Sequence, residues 1–531
     1  MKNNILNIVF LAIVAFPLKG WTQEENKQSN ATPIVLETQY NLVKKQQELY
    51  RVNPAYLHQD KAKDQTEIYS FYQKQKYKND YNPLKGKQFK TYGLGANWLN
   101  VIDTTASFLG SVAVSKGNQD QIYAQVMRLG DAYGPYGLVH KKIADYTFQY
   151  YDLSARYSQV FNQLAFGVHL YYKGDYAYSQ TDPRAKDITS WFGINAGTKY
   201  NWSDKHEVGL SAGYEIHNQH IALDVWKGNV KQQFFLLRGF GMYDHHHKDH
   251  VFSKKRLYKQ HTTSISASAG LWKKNPFSVD FLFQAEIRNL KTEEETTINL
   301  YELTSYNYLP EVKFNYVLSR KWQAQLQLSA QLTSLKGKEN RYSYNRVNDD
   351  FSGVYDYVKI GEIKPYVLDE NQYRIGVSTT YRHSQFWLYS LGVSYQKGSY
   401  DEYYKQTLFK SQLDKQTPKA EAKVLYQKPK YQIGVGVSFE AQKSQKAFTQ
   451  EDTTFQSLYQ EIYLPAFRYR AMDKNYLTLE LDYMYSLKER QQIGARFTLG
   501  KLWADKSELI LNDQAYKIRA HQVYMSLYFQ F

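Results

Sequence analysis

Apolar and polar residues alternate along most of this chain, in stretches of about 10 to 15 residues that recur from about residue 60 onward. Side chains of a β-strand point alternately to its two faces, so a period of two indicates strands with one apolar and one polar face. The clearest examples are residues 208–216 (VGLSAGYEI), 264–271 (SISASAGL), 324–332 (AQLQLSAQL), 431–439 (YQIGVGVSF) and 476–487 (YLTLELDYMYSL).

The connections between these stretches are of two kinds, short turns and long loops. A soluble β-sandwich also alternates, but its strands are usually about 5 or 6 residues long. Long strands joined in turn by tight turns and by long loops are typical of an outer-membrane barrel. Short turns are predicted at residues 201–206, 273–277, 319–322, 382–386, 427–431 and 488–492, and long loops at 219–257, 336–371 and 443–472.

The predicted fold is therefore an all-β, transmembrane antiparallel β-barrel. Lipid offers no hydrogen bonds to an open strand edge, so the strands must close into a ring. From Thr66 to Phe531 the pattern predicts about 18 strands, with 14 or 16 as alternatives, and an even number if both ends lie in the periplasm.

The last strand must then pair with the first. Its outward positions are apolar, and its terminal Phe resembles the signal that barrel-assembly machinery recognises; the alternative is an ordinary final strand. The residues on this face are Val523, Met525, Leu527, Phe529 and Phe531.

Residues 1–22 have the features of a secretory signal peptide. Lys2 precedes an apolar run at residues 5–16, and Pro17 and Lys19 end that run too early for a membrane-spanning helix. A mean hydropathy of −0.63 also excludes a membrane helix bundle. Removal of residues 1–22 takes away two lysines and no acid, which leaves +14 of the net charge of +16. The predicted location is the cell outer membrane.

The composition excludes some kinds of site and favours others. The chain has no Cys, so it has neither disulfides nor thiolate metal sites, and its 50 Tyr suit a surface that is part apolar and part wet. The basic charge fits pairing with the phosphates of membrane lipids and lipopolysaccharide. It could also attract nucleic acid, but the sequence has no stacking platform or groove-reading motif for nucleic acid. We predict no nucleic-acid partner and no cofactor.

Residues 23–63 differ from the barrel region 64–531 and are predicted to form a short periplasmic or lumenal segment. The motif NPAYL, with Asn53, Pro54, Ala55 and Leu57, resembles the start of fatty-acid-transporter-like barrels, where the N-terminal stretch enters the lumen as a hatch. About 40 residues are too few for a plug domain of the TonB-dependent kind. Energised import through this chain alone is therefore not expected.

A wider resemblance covers most of the chain. NPAYL, GSVAVSKGN at residues 110–118 and YKGDYAYSQTDPRAKD at residues 172–187 resemble, in this order, an uncharacterised family of outer-membrane barrels typical of Bacteroidota. The resemblance implies a fold and a location, with no settled substrate.

A histidine-rich run offers candidate metal ligands. Imidazole and carboxylate groups bind zinc, copper or iron, and a long extracellular loop would present them to a metal or haem; the alternative is a solvated loop. Three consecutive histidines do not converge on one ion without an unusual backbone. The weak candidates are His245, His246, His247, Asp249 and His250.

Charged residues on the polar strand faces are predicted to face the lumen. Paired acids suit acid–base work or cation binding, but a hydrated lumen balanced by inward bases explains them as well. No nucleophile stands beside a suitably spaced His, so we predict no enzyme. These residues are Glu207, Glu215, Arg374, Glu480 and Asp482.

The sequence thus favours a channel or gated transporter for a small polar or amphipathic solute of unknown identity. The alternative is a surface receptor whose long loops bind a metal, haem, glycan or protein partner.

Overall fold

The computed structural model describes residues 49, 51–58, 64–78, 81–127, 134–181, 184–223, 234–243, 255–273, 275–294, 298–346, 355–450, 458–488, 491–504 and 518–531. Within these ranges the chain forms a closed antiparallel β-barrel of 18 strands, as the sequence predicted. The predicted signal peptide lies outside the described residues.

The strands follow one another around the barrel in chain order, apart from a hairpin of two short strands, β8 and β9. The bounds are β1 (Gln65–Tyr77), β2 (Gln88–Val101), β3 (Ala106–Gln125), β4 (Leu138–Phe161), β5 (Leu164–Ser179), β6 (Lys186–Ser203), β7 (His206–Ala222), β8 (Phe234–Gly239), β9 (Met242–Tyr243), β10 (Lys255–Leu271), β11 (Phe277–Glu294), β12 (Ile298–Val317), β13 (Trp322–Arg346), β14 (Tyr355–Arg382), β15 (Trp387–Tyr404), β16 (Phe409–Gln427), β17 (Tyr431–Thr449), β18 (Lys474–Lys488), β19 (Gln491–Ala504) and β20 (Ile518–Gln530).

The ring closes between the first and last strands. β1 pairs antiparallel with β20 on one side and with β2 on the other. Beyond the ladder, the backbone N–H of Thr66 donates to the carbonyl of Phe531 at 2.8 Å, and the N–H of Phe531 donates back at 2.9 Å. Closure leaves neither strand with an open edge toward lipid, which is the condition for crossing a bilayer with strands.

The six turns predicted from the sequence all join neighbouring strands at one end of the barrel. They correspond to the short gaps after β6, β10, β12, β14, β16 and β18. Short turns mark the periplasmic end of an outer-membrane barrel. The start of β1 and the end of β20 lie at this same end.

The predicted long loop at residues 336–371 is wrong. Here β13 continues to Arg346 and β14 begins at Tyr355, and the two strands stay paired through two bulges. This extension, in strands of 25 and 28 residues, goes beyond the roughly 9 to 11 residues that cross a bilayer, so it needs no lipid-facing apolar row. Its residues therefore lack the apolar alternation by which strands are recognised in a sequence. The loop predicted at 443–472 likewise begins later, after Thr449.

The outer face carries the apolar side chains. Leu210, Val393 and Leu527 are 63%, 64% and 63% exposed, values that would be costly in water and are favourable in lipid. Exposed tryptophans lie next to the periplasmic turns and form an aromatic girdle at the membrane surface. They are Trp202, Trp272, Trp322 and Trp387.

Short helices occur only outside the barrel wall in the part of the chain that is described. A 3₁₀ turn spans Pro54–Tyr56, and a π-helical turn, Tyr459–Tyr463, runs into helix α1, Leu464–Ala471. None of the described helices is long and apolar enough to cross a membrane.

Candidate functional site

The inner face of the barrel carries cross-strand polar pairs. Glu215 accepts a hydrogen bond from the Tyr171 hydroxyl at 2.6 Å. Asp482 accepts from the Tyr528 hydroxyl at 2.9 Å and from the Arg496 guanidinium at 3.1 Å. These lumenal acids thus have their partners within the wall.

The remaining predicted lumenal charges are not gathered into one site. Glu207 forms an ion pair with Lys273 near the periplasmic end. Arg374 donates to the Ser394 hydroxyl at 3.3 Å and does not pair with the predicted acids. Glu480 lies over Gly436, two residues from Asp482 on the same face of β18. The arrangement is that of a hydrated wall, with no cluster resembling a catalytic centre among these residues.

The histidine-rich run at residues 244–250 lies outside the described residues, so its metal-binding role stays a prediction. Among the residues that are described, no group of three or more His, Asp or Glu side chains is placed to hold a metal ion.

The NPAYL motif lies inside the barrel, within what we call the hatch segment (Leu49 and residues 51–58). The Asn53 side chain donates from Nδ2 to the carbonyls of Thr198 at 3.0 Å and Leu210 at 3.2 Å. Its Oδ1 accepts from the Ala55 backbone N–H at 3.0 Å, which caps the 3₁₀ turn. One amide therefore fixes the turn and binds it to β6 and β7.

Further polar contacts bind the hatch segment at both of its ends. The carbonyl of Val52 accepts from the Asn195 amide at 2.7 Å and from the Ser211 hydroxyl at 2.9 Å. The His58 ring contacts the Ser107 hydroxyl at 2.8 Å and the Thr104 carbonyl at 3.0 Å. These contacts join the segment to β3, β6 and β7 near the periplasmic turns.

Tyr56 provides the aromatic contact of the hatch segment. Its hydroxyl lies 2.9 Å from the Ser268 hydroxyl on β10, and the Lys199 ammonium lies 5.3 Å from its ring centroid. Burial raises the pKa of Tyr56, so its hydroxyl stays protonated and available for hydrogen bonding.

Glycines in the wall make room for this segment. A Cβ on Gly167 would lie 2.3 Å from the backbone nitrogen of Ala55, and one on Gly197 would lie 2.2 Å from Asn53 Oδ1. A Cβ on Gly209 would lie 2.8 Å from the Tyr56 ring. The backbone of the hatch segment thus approaches the wall more closely than any side chain would permit.

We expect Asn53→Ala to loosen the hatch segment while the barrel stays folded. The change removes three hydrogen bonds of a buried amide, worth about 2 kcal/mol together, which corresponds to roughly 30-fold faster exchange of local amides. Hydrogen exchange read by mass spectrometry on peptides covering 49–58 measures it. Asn97→Ala, which removes a lumenal amide bonded to Glu67, is the control. Equal exchange in both variants would contradict the role of Asn53.

At the extracellular end, parts of three loops fold inward and form what we call the cap. Its described parts are residues 134–137, the β8–β9 hairpin and residues 458–473. β8 adds to β4 through the pairs Leu138↔Leu236 and Val139↔Phe235. Phe240 at the tip of the hairpin is fully buried, and its ring centroid lies 5.2 Å from that of Tyr463. Two different loops therefore share one aromatic core.

The cap reaches across the mouth of the barrel. Its hairpin pairs with β4, yet Arg238 forms an ion pair with Glu339 on β13 and donates to the Tyr404 hydroxyl on β15. Tyr136 stacks on Tyr301 of β12, with ring centroids 4.6 Å apart. Because β4 and β12 to β15 lie on opposite sides of an 18-strand ring, these contacts span the lumen.

Glu402 joins the cap to the wall. Its carboxylate is buried and accepts from the hydroxyls of Tyr366 at 2.8 Å and Tyr400 at 2.8 Å, both on the wall, and of Tyr463 at 2.6 Å, on the cap. Burial, followed by the charge of Glu402, raises the pKa of Tyr463 well above its usual range. The tyrosine therefore remains a donor. We call these four residues the Glu402 cluster.

Comparison with known protein families identifies the family of this chain. Residues 54–530 match the model of a family described as a family of unknown function (DUF6850). The resemblance to an uncharacterised family of outer-membrane barrels is thereby confirmed. The match does not bear on a Bacteroidota origin or on the fatty-acid-transporter resemblance, which stay predictions. No protein among those of curated function matches the sequence.

Several solved barrels are similar at low identity. The ferric preacinetobactin receptor BauA from Acinetobacter baumannii is 8% identical, with 88% of this chain and 80% of that chain covered and a TM-score of 0.41. The copper transporter OprC is 8% identical over 88% and 82%, with a TM-score of 0.39. The TodX monoaromatic hydrocarbon channel is 10% identical over 90% and 92%, with a TM-score of 0.33. No ligand for this chain follows from these values.

Proposed function

We propose that this chain, which belongs to the family of unknown function DUF6850, is a gated outer-membrane channel or transporter for a small polar or amphipathic solute. The observation that carries the proposal is the cap, whose contacts span the mouth of a polar lumen through Arg238 and the Glu402 cluster. Barrels of about 16 to 18 strands leave an aqueous channel unless something fills it. The ion pair of Arg238 and the hydrogen bonds of the Glu402 cluster can be exchanged for water, which suits a gate, while the aromatic core holds the closed position.

The hatch segment supplies the second element of the proposal. It lies at the periplasmic end, bound to the wall by side-chain amides and hydroxyls. In the proposed cycle the cap admits solute from outside, and movement of the hatch segment widens the exit. Lipids and lipopolysaccharide surround the apolar outer band, and barrel-assembly machinery inserts the chain through its last strand. No enzymatic step is part of this proposal.

The test is single-channel conductance of the purified protein in planar bilayers, with and without residues 23–63, and with the cap loosened by Glu402→Ala. We expect brief, rare openings in the intact protein and frequent openings once a closure is removed. Steady full conductance of the intact protein would show an ungated porin. Silence of every variant would overturn transport in favour of the receptor alternative, in which the barrel only presents its loops.

A further inference from the structure

A lysine lies buried beneath the cap with no opposite charge beside it. Lys474 begins β18 and is only 4% exposed. Its ammonium lies 3.9 Å from the ring centroid of Tyr469, a residue of α1 in the cap. In the described part of the chain, no carboxylate forms an ion pair with it. A cation–π contact offsets only part of the cost of taking an ammonium out of water.

Further positive charges lie around Lys474. Lys474 is repelled by the charges of Lys415 on β16, Arg470 on α1 and Lys85 in the loop after β1. Lys415 in turn experiences the positive charge of Arg470, offset in part by that of Glu370. Four elements of the fold, β18, β16, α1 and the loop after β1, thus bring cations together at one place under the cap.

Two acids in this region, Asp473 and Glu402, accept hydrogen bonds from other groups. Asp473 accepts from the backbone N–H of Ser444 at 2.8 Å. Glu402 acts on Arg470 but also accepts three tyrosine hydroxyls. Neither acid forms an ion pair with Lys474 or is among the charges that act on it. An ammonium buried without a counter-charge is disfavoured, so an anion that binds beside Lys474 stabilises its charged form.

Neutral donors complete the surroundings. The hydroxyls of Tyr77 on β1 and Tyr469 on the cap lie 3.0 Å apart, and the Gln75 amide donates to the first of them at 2.9 Å. Carboxylate and phosphate oxygens accept hydrogen bonds from both ammonium and phenol groups. The place therefore combines positive charge with directed donors next to helix α1 of the cap.

We propose that Lys474, Lys415 and Arg470 form a binding site for a small anion that carries a carboxylate or phosphate group. The inference rests on the proposed function for its role, since it names the class of solute that the gated channel would take. A bound anion bridges the wall lysines and the cap arginine. Its arrival and departure therefore favour the closed and open positions of the cap respectively.

Equilibrium dialysis of the full-length protein in detergent tests the site, with radiolabelled inorganic phosphate and radiolabelled succinate as separate probes. We expect saturable binding of at least one probe, weakened about 10- to 100-fold by Lys474→Gln and by Lys415→Gln. The matched control is Lys313→Gln, which removes a buried lumenal lysine that has its own carboxylate partner, Glu311, at 2.9 Å. Lys474→Arg keeps the charge and is expected to retain binding.

Binding of neither probe by the wild-type protein would overturn the site. An equal loss in the Lys474 and Lys313 variants would also overturn it, because the lumen as a whole would then be the cause. The heat-dependent electrophoretic mobility of each variant reports whether its barrel is folded. Dialysis does not depend on conductance, so saturable binding by a protein that never conducts would leave the anion site standing and remove the transport function.

Discussion

Replacing Glu402 with Ala is expected to release the cap from the barrel wall. The substitution removes the acceptor shared by Tyr366, Tyr400 and Tyr463. It also leaves Arg470, whose guanidinium lies 4.5 Å from the Tyr400 ring centroid, without the negative charge that acts on it. A hydrogen bond to a charged group contributes about 1.5 to 3 kcal/mol, and the bond from Tyr463 to Glu402 holds the cap to the wall. The open population of the cap should therefore rise by about 10- to 100-fold.

Hydrogen exchange on cap peptides covering 234–243 and 458–473 measures this release. We expect both peptides to exchange faster together, because the hairpin and Tyr463 share one aromatic core. The matched control is Glu421→Ala, which removes a more exposed carboxylate paired with Lys419 on the neighbouring strand β16. Tyr463→Phe, which deletes one hydroxyl and keeps the ring, should give a smaller effect. Protection of the cap that is equal in the Glu402 and Glu421 variants would contradict the role of the cluster.

The barrel could be predicted from the sequence because lipid contact constrains each strand through its own residues alone. Each spanning strand must expose apolar residues on one face, so Leu210 and Leu527 could be placed outward from their neighbours alone. The periplasmic turns were equally local, as polar breaks between such strands. The extension of β13 and β14 was missed because above the membrane that constraint no longer applies.

The cap could not be predicted from the sequence. Arg238 and Tyr404 are 166 positions apart, and Tyr463 and Glu402 are 61 apart. Nothing in the local pattern distinguishes Glu402 from the other acids on strand faces. Tyr366 and Tyr400 reach it through the pairing of β14 with β15, but Tyr463 does so only when the loop before β18 folds inward. Lys474 was missed for the same reason, since its burial depends on α1.

The hatch segment could be predicted only in part from the sequence. NPAYL pointed to a segment entering the lumen, and the structure places Asn53 and Pro54 against the inner wall. The sequence could not show where this segment would be received. The receiving surface consists of single glycines and serines on separate strands, such as Gly167 and Ser211, and small residues in a strand carry no specific signal.

Gly167→Val is expected to expel the hatch segment without harm to the barrel. The new Cβ would lie 2.3 Å from both the Ala55 nitrogen and the Pro54 carbonyl carbon, a distance that only movement of the segment relieves. Valine is itself favoured in strands, so the wall tolerates it. The variant therefore removes the hatch interaction while every residue of the segment stays present, unlike a deletion.

Two measurements detect expulsion of the hatch segment. Proteolysis should cleave the N-terminal region of Gly167→Val in detergent but spare the wild type, and channel openings should become more frequent. Since the cap and the hatch segment lie at opposite ends of one lumen, they restrict passage in series. Gly167→Val combined with Glu402→Ala should then raise conductance by more than the sum of the single effects.

The matched control for the hatch variant is Gly398→Val. Gly398 also faces the lumen, on β15, but the nearest atoms to a Cβ there lie 3.8 Å away, an ordinary contact. The same valine at this site should change neither proteolysis nor conductance. If both valine variants behave alike, the added side chain perturbs the barrel in general. If Gly167→Val frees the segment but the double variant conducts no better than Glu402→Ala alone, the hatch segment is a structural tether, and the cap alone controls passage.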